Sequence, residues 1–315
     1  MTRHVVVLAG GLSHEREVSL RSGARLHEAL RASGLDVTLR DTDVDMIPWL
    51  ASAKPDAAII TLHGSRGENG AIQGILEMSG IPYVGTTSKN CRLAYEKNIA
   101  KNLVQRAGYS TPRWMSLSHS TFRDLGAQTL IGLLISHLGL PLMVKPQHGG
   151  SALGAGAVRT AEELPSALVN AFAYGDIAIV EQFVDGVELA ITVIEEGDSA
   201  LALPAVEIAP TSGIFDYESR YTAGLTTYFT PARLSDEVSA AAADLAIGAH
   251  RALGLRDVSR TDAIATADGT VHFLEVNVSP GLTETSMLPM SVAEAGRDLG
   301  ATYGELVERA INRGI

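Results

Sequence analysis

The first 90 residues alternate short apolar runs with amphipathic stretches, and this alternation constrains the fold more than any other feature of the chain. The run HVVVLAGG leads into REVSLRSGARLHEALRASG, and LDVTLRD, DAAIITLHG, GAIQGILEMSG and IPYVG follow. Apolar runs separated by helix-length patterns are typical of parallel strands joined by crossover helices. The sequence therefore predicts an α/β unit in which helices cover a parallel sheet.

The rest of the chain has a different pattern. A helical segment, KNCRLAYEKNIAKNLVQRAG, leads into predicted strands at RWMSLS, PLMVKPQ, AGAVRT and AIVEQFV, with helices near 120–138 and 161–174. The strands VELAITVIEEG and ALALPAVEIAP follow, then a helix near 235–253, two strands and C-terminal helices. A prior of about 150 residues per domain suggests two or three units, and we predict an N-terminal α/β domain at 1–93, an α+β domain at 94–186 and a third domain at 187–315.

Charge and composition limit the kinds of partner. The 315 residues carry a formal net charge of −11, whereas nucleic-acid binding relies on clustered Lys and Arg, so we expect small-molecule partners and no nucleic acid. The single cysteine, Cys91, excludes an internal disulfide, and the N-terminal residues lack a secretory pattern. Apolar runs such as LIGLLI are far shorter than the about 20 residues of a membrane span. We therefore expect a cytoplasmic protein that does not bind a membrane.

Two strands near the C-terminus, SRTDAIAT and VHFLEVNV, are separated by ADGT. Asp-Gly is a strong signal for a two-residue hairpin turn, here at 268–269. Side chains two apart on a strand share a face with the residues directly opposite. One face of this hairpin is therefore predicted to carry Arg260, Asp262, Glu275 and Asn277. Ile264 and Phe273 are predicted farther along the same face, where they would support a flat base.

The polar face of this hairpin predicts a metal site. Two opposed carboxylates, Asp262 and Glu275, repel each other unless something positive lies between them. Oxygen ligands such as these and Asn277 suit Mg²⁺, which waters and substrate phosphates usually complete. The alternative is a solvated hairpin face whose charges alternate with core residues.

A glycine-rich loop, HGGSALGAG at 148–156, follows a strand that ends near Lys145. Backbone N–H groups of such a loop can cradle a phosphate, and the lysine adds a positive charge. The loop lacks GKT or GKS and a strand follows it, which excludes a Walker loop and a dinucleotide fingerprint. The alternative is an ordinary turn.

Several acidic residues allow two interpretations. Glu181 and Glu188 flank a turn, where they would bind a base amino group and a ribose hydroxyl or serve as ordinary turn acids. Glu15 lies at a helix start, as a cap or as an ammonium site. His63 and Glu68 follow a parallel strand at the edge where such sheets bind ligands, although a histidine there is often only hydrogen-bonded.

The segment at 211–232, polar and aromatic, is typical of a mobile lid or of a surface loop. His14 and His148 are assigned no role.

Taken in order, these motifs resemble those of the D-alanine–D-alanine ligases, a branch of the ATP-grasp superfamily, over nearly the whole chain. The matching segments are GGLSHEREVSL, LHGSRGENGAIQG, GIPYVG, VKPQHGGSALG, DYESRY, SRTD and LEVNVSPGLTETSMLP. The resemblance implies the ATP-grasp fold, with ATP gripped between two antiparallel sheets. It also implies an ADP-forming ligase that makes D-alanyl-D-alanine for peptidoglycan through an acyl phosphate, two Mg²⁺ ions (or Mn²⁺), and a homodimer.

The resemblance implies roles for individual residues. The ATP phosphates would be contacted by Lys97, Lys145 and Arg220, the adenine by Glu181 and Val184, and the ribose by Glu188. The metal ligands would be Asp262, Glu275 and Asn277.

The same resemblance implies an amino-acid site. Glu15 would bind the ammonium of the first D-alanine, and the residues nearby would be His63, Ser286 and Met287. Arg260 and the Gly281 backbone N–H would form the oxyanion pocket. Ser151 and Tyr221 would link Glu15 to the second D-alanine and the lid.

Three positions depart from the family pattern. The lid usually carries Lys where this chain has Arg220, a second Ser where it has Ala152, and Thr where it has Val278. These departures leave open a ligase for other substrates, such as D-alanyl-D-lactate or an antibiotic-pathway dipeptide, although Tyr221 argues against lactate because lactate-using relatives have His there. A non-catalytic nucleotide-binding regulator is a third alternative, against which the intact hairpin face argues.

Overall fold

A computed structural model of the protein describes residues 3–13 and 15–315, apart from the side chains of Arg66 and Tyr221. The strands of this part of the chain form three sheets, which follow one another in sequence. None of its helices combines the length and the apolar character needed to cross a lipid bilayer.

The first sheet is parallel, as predicted, with strand order β2-β1-β3-β4. Its strands are β1 (His4–Ala9), β2 (Asp36–Asp41), β3 (Ala57–Ile60) and β4 (Tyr83–Val84). The helices between them are α1 (Arg16–Ala32), α2 (Met46–Ala53), α3 (Ser65–Glu68) and α4 (Ala71–Met78). Strand β1 is apolar from Val5 to Ala9 because both of its faces are covered. Val5 and Val7 join a core with α1 and the C-terminal helix, while Val6 and Leu8 join a second core with α2 and α4.

Two helices, α5 (Ser88–Tyr95) and α6 (Lys97–Arg106), connect the first sheet to the second. The sequence pattern predicts one helical segment here, but the helix is interrupted at Glu96, whose backbone is extended (φ −80°, ψ 93°). Apolar periodicity continues across the break without Gly or Pro, so the pattern alone shows no interruption.

The second sheet is antiparallel, with strand order β5-β8-β6-β7. Its strands are β5 (Trp114–Ser118), β6 (Leu142–Pro146), β7 (Gly156–Val158) and β8 (Ile177–Gln182). The helices α7 (His119–Leu125), α8 (Ala127–Leu138) and α9 (Leu164–Phe172) accompany it, with a 3₁₀ turn at Ala161–Glu163. Leu142, Val144 and Val180 pack against α8 and α9 on one face. The alternate positions, Met143 and Lys145, therefore point to the opposite face, which lines a cavity.

The third sheet is also antiparallel, with order β12-β11-β9-β13-β14 and β10 paired to β9. Its strands are β9 (Val187–Glu196), β10 (Ser199–Ala202), β11 (Val206–Pro210), β12 (Thr226–Phe229), β13 (Val258–Ala265) and β14 (Val271–Asn277). The remaining helices are α10 (Tyr217–Tyr221), α11 (Asp236–Ala252), α12 (Met287–Glu294) and α13 (Leu299–Arg313). The segment ALALPAVEIAP, predicted as one strand, forms two, because Pro204 between them cannot donate a ladder hydrogen bond.

The three sheets span 4–84, 114–182 and 187–277. Helix α13, in the last predicted domain, packs against β3 and β4 of the first sheet, and Leu306 shares a core with Val5, whereas α12 packs against β9 and β11 of the third sheet. The domain limits at 93 and 186 stay a prediction.

Candidate active site

The hairpin of β13 and β14 has the predicted pairing at its polar end. The paired residues are Arg260 with Asn277 and Asp262 with Glu275. The predicted two-residue turn is wrong, because Thr266 and Thr270 close a three-residue loop in which Gly269 adopts φ +84°. A bulge that leaves Leu274 without a partner compensates for the extra loop residue and restores the predicted register.

The bulge overturns the prediction for Phe273. This residue pairs with Ala263 and is fully buried with it in the core beneath the sheet, away from the cavity. Ile264 lines the cavity as predicted, and Leu274 joins it there. The prediction assumed a regular ladder, and one inserted residue transfers the following side chains to the other face.

A cavity with two connected lobes contains this hairpin face. The inter-sheet lobe, about 950 Å³ of open space, lies between the second and third sheets, and the N-terminal lobe, about 1150 Å³, reaches the first sheet. Both lobes are lined by Lys97, Gly149, Gly150, Phe215, Arg220 and Glu275. A ligand in one lobe therefore meets a ligand in the other at these residues.

Every predicted site residue whose side chain is described lines this cavity. The inter-sheet lobe contains Lys97, Lys145, Glu181, Val184, Glu188, Arg220, Asp262 and Glu275. The N-terminal lobe contains Glu15, His63, Ser151, Arg260, Asn277, Gly281, Ser286 and Met287. The side chain of Tyr221, and all of His14, lie outside the described residues.

Glu181 is buried between two lysines in the inter-sheet lobe. Lys145 Nζ lies 2.6 Å from its Oε1 and Lys101 Nζ lies 2.8 Å from its Oε2. Burial alone would raise the pKa of Glu181, but the two cations outweigh it and lower the pKa. Burial also lowers the pKa of Lys101 to about 8. Lys145 is thus held by Glu181 in this structure.

Sequence analysis did not identify Lys101, which is fully buried and also donates to Thr111 Oγ1 at 2.9 Å. A signal for it exists in α6. The buried positions of this helix are Lys97, Ala100, Lys101 and Val104, the spacing of one helix face. Two lysines on the buried face of a helix need buried partners, which here are carboxylates.

The predicted metal ligands already have cationic neighbours. Asp262 accepts two hydrogen bonds from Arg260, at 2.7 and 2.8 Å, and Lys97 Nζ lies 3.3 Å from Glu275 Oε2. Burial raises the pKa of Glu275, but Lys97 and other cations lower it well below its usual range. Within the described residues, no three His, Cys, Asp or Glu side chains cluster so as to hold a metal ion. The donor set on the hairpin is two carboxylates and the amide of Asn277.

Glu188 lies on β9 beside these groups. Burial, with added repulsion from Asp262 and Glu275, raises the pKa of Glu188 to about 7 even though Arg220 acts in the opposite direction. Its carboxyl group is therefore partly protonated near neutral pH and suits a hydrogen bond to a neutral hydroxyl.

The Glu15 side chain makes no hydrogen bond to cap α1 and instead accepts one from Ser151 Oγ at 2.8 Å. Gly64 adopts φ +69°, and a Cβ there would lie 2.0 Å from Glu15 Oε2, so the close approach requires glycine. Glu68 accepts a hydrogen bond from the Gly64 N–H at 2.9 Å, and burial together with Glu15 raises the pKa of Glu68 to about 8. The lobe thus holds two neighbouring carboxyl groups near the glycine-rich loop.

His63 holds the loop after β14 in place. Its Nδ1 lies 3.0 Å from the Ser279 carbonyl oxygen, which can only accept, so Nδ1 carries the proton. Its Nε2 therefore accepts from Ser22 Oγ at 3.0 Å, and this hydroxyl accepts from the Leu282 N–H at 3.1 Å. Gly281 lies in the same loop, where a Cβ would approach Ser286 Oγ to 2.7 Å. Both ring nitrogens of His63 are thus engaged in positioning the loop.

The segment at 211–232 packs against the cavity, which favours the lid interpretation over a surface loop. Phe215 is buried with Met287, half-buried Tyr228 packs against them, and the Arg220 guanidinium lies 4.0 Å from the centre of the Phe215 ring. Asp216 caps α10 by accepting from the Ser219 N–H at 2.9 Å. Within the described part of the chain, Arg220 Nε is buried without a hydrogen-bond partner.

The glycine-rich loop has an unusual backbone. Gly149, Ser151, Ala152 and Gly154 all have positive φ, and Ser151 and Ala152 are both at 56°. Non-glycine residues in this region cost on the order of 1–3 kcal/mol each and cluster at functional sites. The loop lines both lobes, which favours the phosphate-binding interpretation over an ordinary turn.

Comparison with known proteins now assigns the family. Residues 103–312 match the family model described as D-ala D-ala ligase C-terminus, and residues 40–86 match the one described as D-ala D-ala ligase N-terminus. The chain belongs to the D-alanine–D-alanine ligase family. A D-alanine–D-alanine ligase from Anaeromyxobacter dehalogenans (strain 2CP-C) is 38% identical over 310 residues, which cover 98% of this chain and 96% of that protein.

Solved structures agree with this assignment. The D-alanine–D-alanine ligase from Bacillus anthracis complexed with ATP matches with a TM-score of 0.82 and 27% identity, covering 99% of this chain and 98% of that one. The VanG D-Ala:D-Ser ligase from Enterococcus faecalis matches with a TM-score of 0.83 and 27% identity, covering 98% and 100%. The predicted family, the ATP-grasp fold and the expectation of a ligase enzyme are therefore confirmed.

Proposed function

We propose that the protein joins two D-alanine molecules into D-alanyl-D-alanine for peptidoglycan synthesis, with conversion of ATP to ADP and phosphate. The observation that carries this proposal is the junction of the two lobes. Lys97, Arg220 and Glu275 line both of them, so phosphate-binding groups and amino-acid-binding groups converge at one point. A ligase that activates a carboxylate with ATP needs this convergence.

ATP binds in the inter-sheet lobe, with its phosphates toward the junction. Lys97, Lys145 and Arg220 contact the phosphates. The two lysines then pair with phosphate oxygens in place of Glu275 and Glu181, their partners in this structure. The buried, unpartnered Nε of Arg220 supports this role within the described residues, because a buried donor without an acceptor is costly unless a ligand supplies one. Glu181 and Val184 contact the adenine, and Glu188, with its raised pKa, accepts or donates a hydrogen bond at the ribose.

Asp262, Glu275 and Asn277 on the hairpin face would hold two Mg²⁺ ions, or Mn²⁺. The fit rests on the donor set: two carboxylates face each other across the hairpin and an amide oxygen follows on the same face, which are ligands that Mg²⁺ prefers. When bound, the ions supply Lewis-acid stabilisation of phosphoryl charge. In this structure Arg260 lies against Asp262 and Lys97 against Glu275, so these cations neutralise the same carboxylates.

In the first step, a carboxylate oxygen of the first D-alanine attacks the γ-phosphorus of ATP, and ADP leaves with the electrons of the broken P–O bond. Glu15 binds the ammonium group of this D-alanine. Ser151 donates to Glu15 at 2.8 Å and thereby fixes the carboxylate. The product is an acyl phosphate at the lobe junction.

In the second step, the neutral amine of the second D-alanine attacks the acyl carbon, and phosphate leaves with one former carboxylate oxygen and takes up the proton that the amine loses. Arg260 and the Gly281 N–H stabilise the oxyanion of the tetrahedral intermediate. His63 positions the Gly281 loop through Ser279 and Ser22.

Ser286 and Met287, at the start of α12, line the N-terminal lobe near the first D-alanine. Ser151 and Tyr221 link Glu15 to the second D-alanine and the lid, and the closed lid excludes water from the acyl phosphate.

A second candidate is a ligase for another second substrate. The structural similarity to a D-Ala:D-Ser ligase and the residues at 152, 220 and 278 make D-serine and D-lactate the compounds to compare. We also propose a cytoplasmic homodimer that binds neither nucleic acid nor membrane, as the resemblance and the net charge suggest. Light scattering after size-exclusion chromatography tests the dimer.

The function is tested by measuring the ADP that the purified protein forms from ATP in the presence of Mg²⁺ and one of four sets of substrates. These are D-alanine, L-alanine, D-alanine plus D-serine, and D-alanine plus D-lactate. Products are identified by mass. The expected result is turnover that requires D-alanine and yields the homodipeptide. Turnover confined to another substrate pair would support the second candidate, and ATP binding without turnover would support the nucleotide-binding regulator.

A further inference from the structure

The residues around the break between α5 and α6 contact the start of the glycine-rich loop. The ring of Tyr95 stacks on the ring of His148, with centroids 5.3 Å apart and an interplanar angle of 4°. Two residues later, Lys97 Nζ donates to the Gly149 carbonyl oxygen at 2.7 Å. The residue between them, Glu96, therefore faces the loop from a fixed position.

Both carboxylate oxygens of Glu96 are engaged by the loop. His148 Nε2 lies 2.8 Å from Oε1, and the Gln147 side-chain amide donates to Oε2. Gln147 is buried, and its backbone N–H is held by the Ile177 carbonyl at 2.9 Å. Glu96 makes no side-chain cap hydrogen bond to α6 although it occupies the N-cap position. Its side chain thus serves the loop and not the helix that follows it.

The position of this loop matters to both lobes. Gly149 and Gly150 line both of them, and Ser151 donates to Glu15 at the amino-acid site. Ser151 and Ala152 have positive φ, a backbone conformation that persists only where surrounding contacts enforce it. The residues that contact Glu96, Gln147 and His148, lie four and three positions before Ser151 in the chain.

We propose that Glu96, acting through His148 and Gln147, is a positioning residue that holds the glycine-rich loop closed between ATP and the amino acids. This inference rests on the proposed ligase function. When the contacts of Glu96 with His148 and Gln147 are lost, the loop moves, so its backbone N–H groups leave the phosphates and Ser151 no longer donates to Glu15. Water then reaches the acyl phosphate and hydrolyses it to D-alanine and phosphate, so that ATP is consumed without dipeptide.

The test compares Glu96→Gln with the wild type in two readouts, the KM for ATP and the ratio of phosphate released to dipeptide formed. The neutral amide cannot accept at both positions, so we expect the KM for ATP to rise about tenfold. We expect the ratio, one in a fully coupled enzyme, to rise to about two or more because water gains access. The matched control is Glu305→Gln, a change of an exposed α13 residue outside both lobes, which should leave both readouts unchanged.

Exchanging the carboxylate at position 96 with the amide at position 147 should restore the wild-type behaviour. In the double variant Glu96→Gln with Gln147→Glu, the amide at 96 donates to the carboxylate at 147 and its oxygen still accepts from His148. We expect this variant to regain coupling and a KM close to the wild-type value. If Glu96→Gln does not fold, His148→Phe keeps the stack on Tyr95 but removes the donor, and it should also raise the ratio.

Three results would overturn the inference: a ratio of one with an unchanged KM, a lower melting temperature and kcat with the ratio still at one, or no rescue in the double variant. A wild-type protein that makes no dipeptide would instead contradict the proposed function, and so the two failures are distinguishable.

Discussion

Acidification should destabilise the protein through His63. This side chain is buried and neutral, with Nδ1 donating to the Ser279 carbonyl and Nε2 accepting from Ser22. A second proton would remove the acceptor that Ser22 uses and place a charge in the interior. Burial is the main reason that the pKa of His63 falls to about 4, and nearby Arg260 adds to it while the hydrogen bond to Ser279 opposes it.

The size of the effect follows from the two pKa values. An unfolded histidine titrates near 6.5, so the gap is about 2.5 units, or roughly 3 kcal/mol at 1.36 kcal/mol per unit. Because the folded pKa lies below the unfolded one, the unfolded chain takes up the proton first as the pH falls. The stability present above pH 6.5 is therefore lost between about pH 6.5 and pH 4.

The assay is urea unfolding of the wild type and of His63→Gln, which does not titrate, at several values between about pH 7.5 and pH 4. We expect the difference in unfolding free energy between them to shrink by roughly 3 kcal/mol over that range. His137→Gln, a change at an exposed histidine, is the control and should follow the wild type. Parallel curves for wild type and His63→Gln would refute the reasoning.

Three further changes test other parts of the site and fold. Glu275→Gln should lower kcat on the order of a hundredfold with an unchanged melting temperature, and full activity would contradict the metal assignment. Lys101→Met removes one of the two cations on Glu181 and should weaken ATP binding about tenfold in calorimetry, whereas an unchanged affinity would show that Glu181 does not depend on it. Arg313→Met removes two of the hydrogen bonds on fully buried Asp257, of 2.7 and 2.9 Å, and leaves it Arg309 and the Gly85 N–H, so it should cost about 2 kcal/mol of unfolding free energy with kcat retained. An unfolding curve like that of the wild type would argue against this pair.

Features that depend on local pattern could be predicted from the sequence. Strand β1 is apolar from Val5 to Ala9 because both faces of a parallel sheet are covered, and this produces a recognisable run. The polar hairpin face follows from period-two alternation around an Asp-Gly pair. Its register at Asp262 and Glu275 is right because the longer turn and the bulge at Leu274 cancel each other.

Features that depend on distant partners could not be predicted. Glu15 has the same local pattern whether it caps a helix or binds a ligand, and its partner Ser151 lies 136 residues away. The break at Glu96 has no Gly or Pro to mark it, and its stabilising contacts come from His148 and Gln147, about 50 residues later in the chain. His148 therefore had no assigned role until the fold brought it to Glu96.

The acyl-phosphate route through the junction of the two lobes is tested most directly with D-alanine labelled with ¹⁸O in its carboxylate. The purified protein is supplied with this D-alanine, unlabelled ATP and Mg²⁺, and the phosphate and dipeptide are analysed by mass. If the carboxylate attacks the γ-phosphorus, each phosphate released with a dipeptide carries one ¹⁸O atom from D-alanine. Dipeptide formed together with unlabelled phosphate would contradict the account.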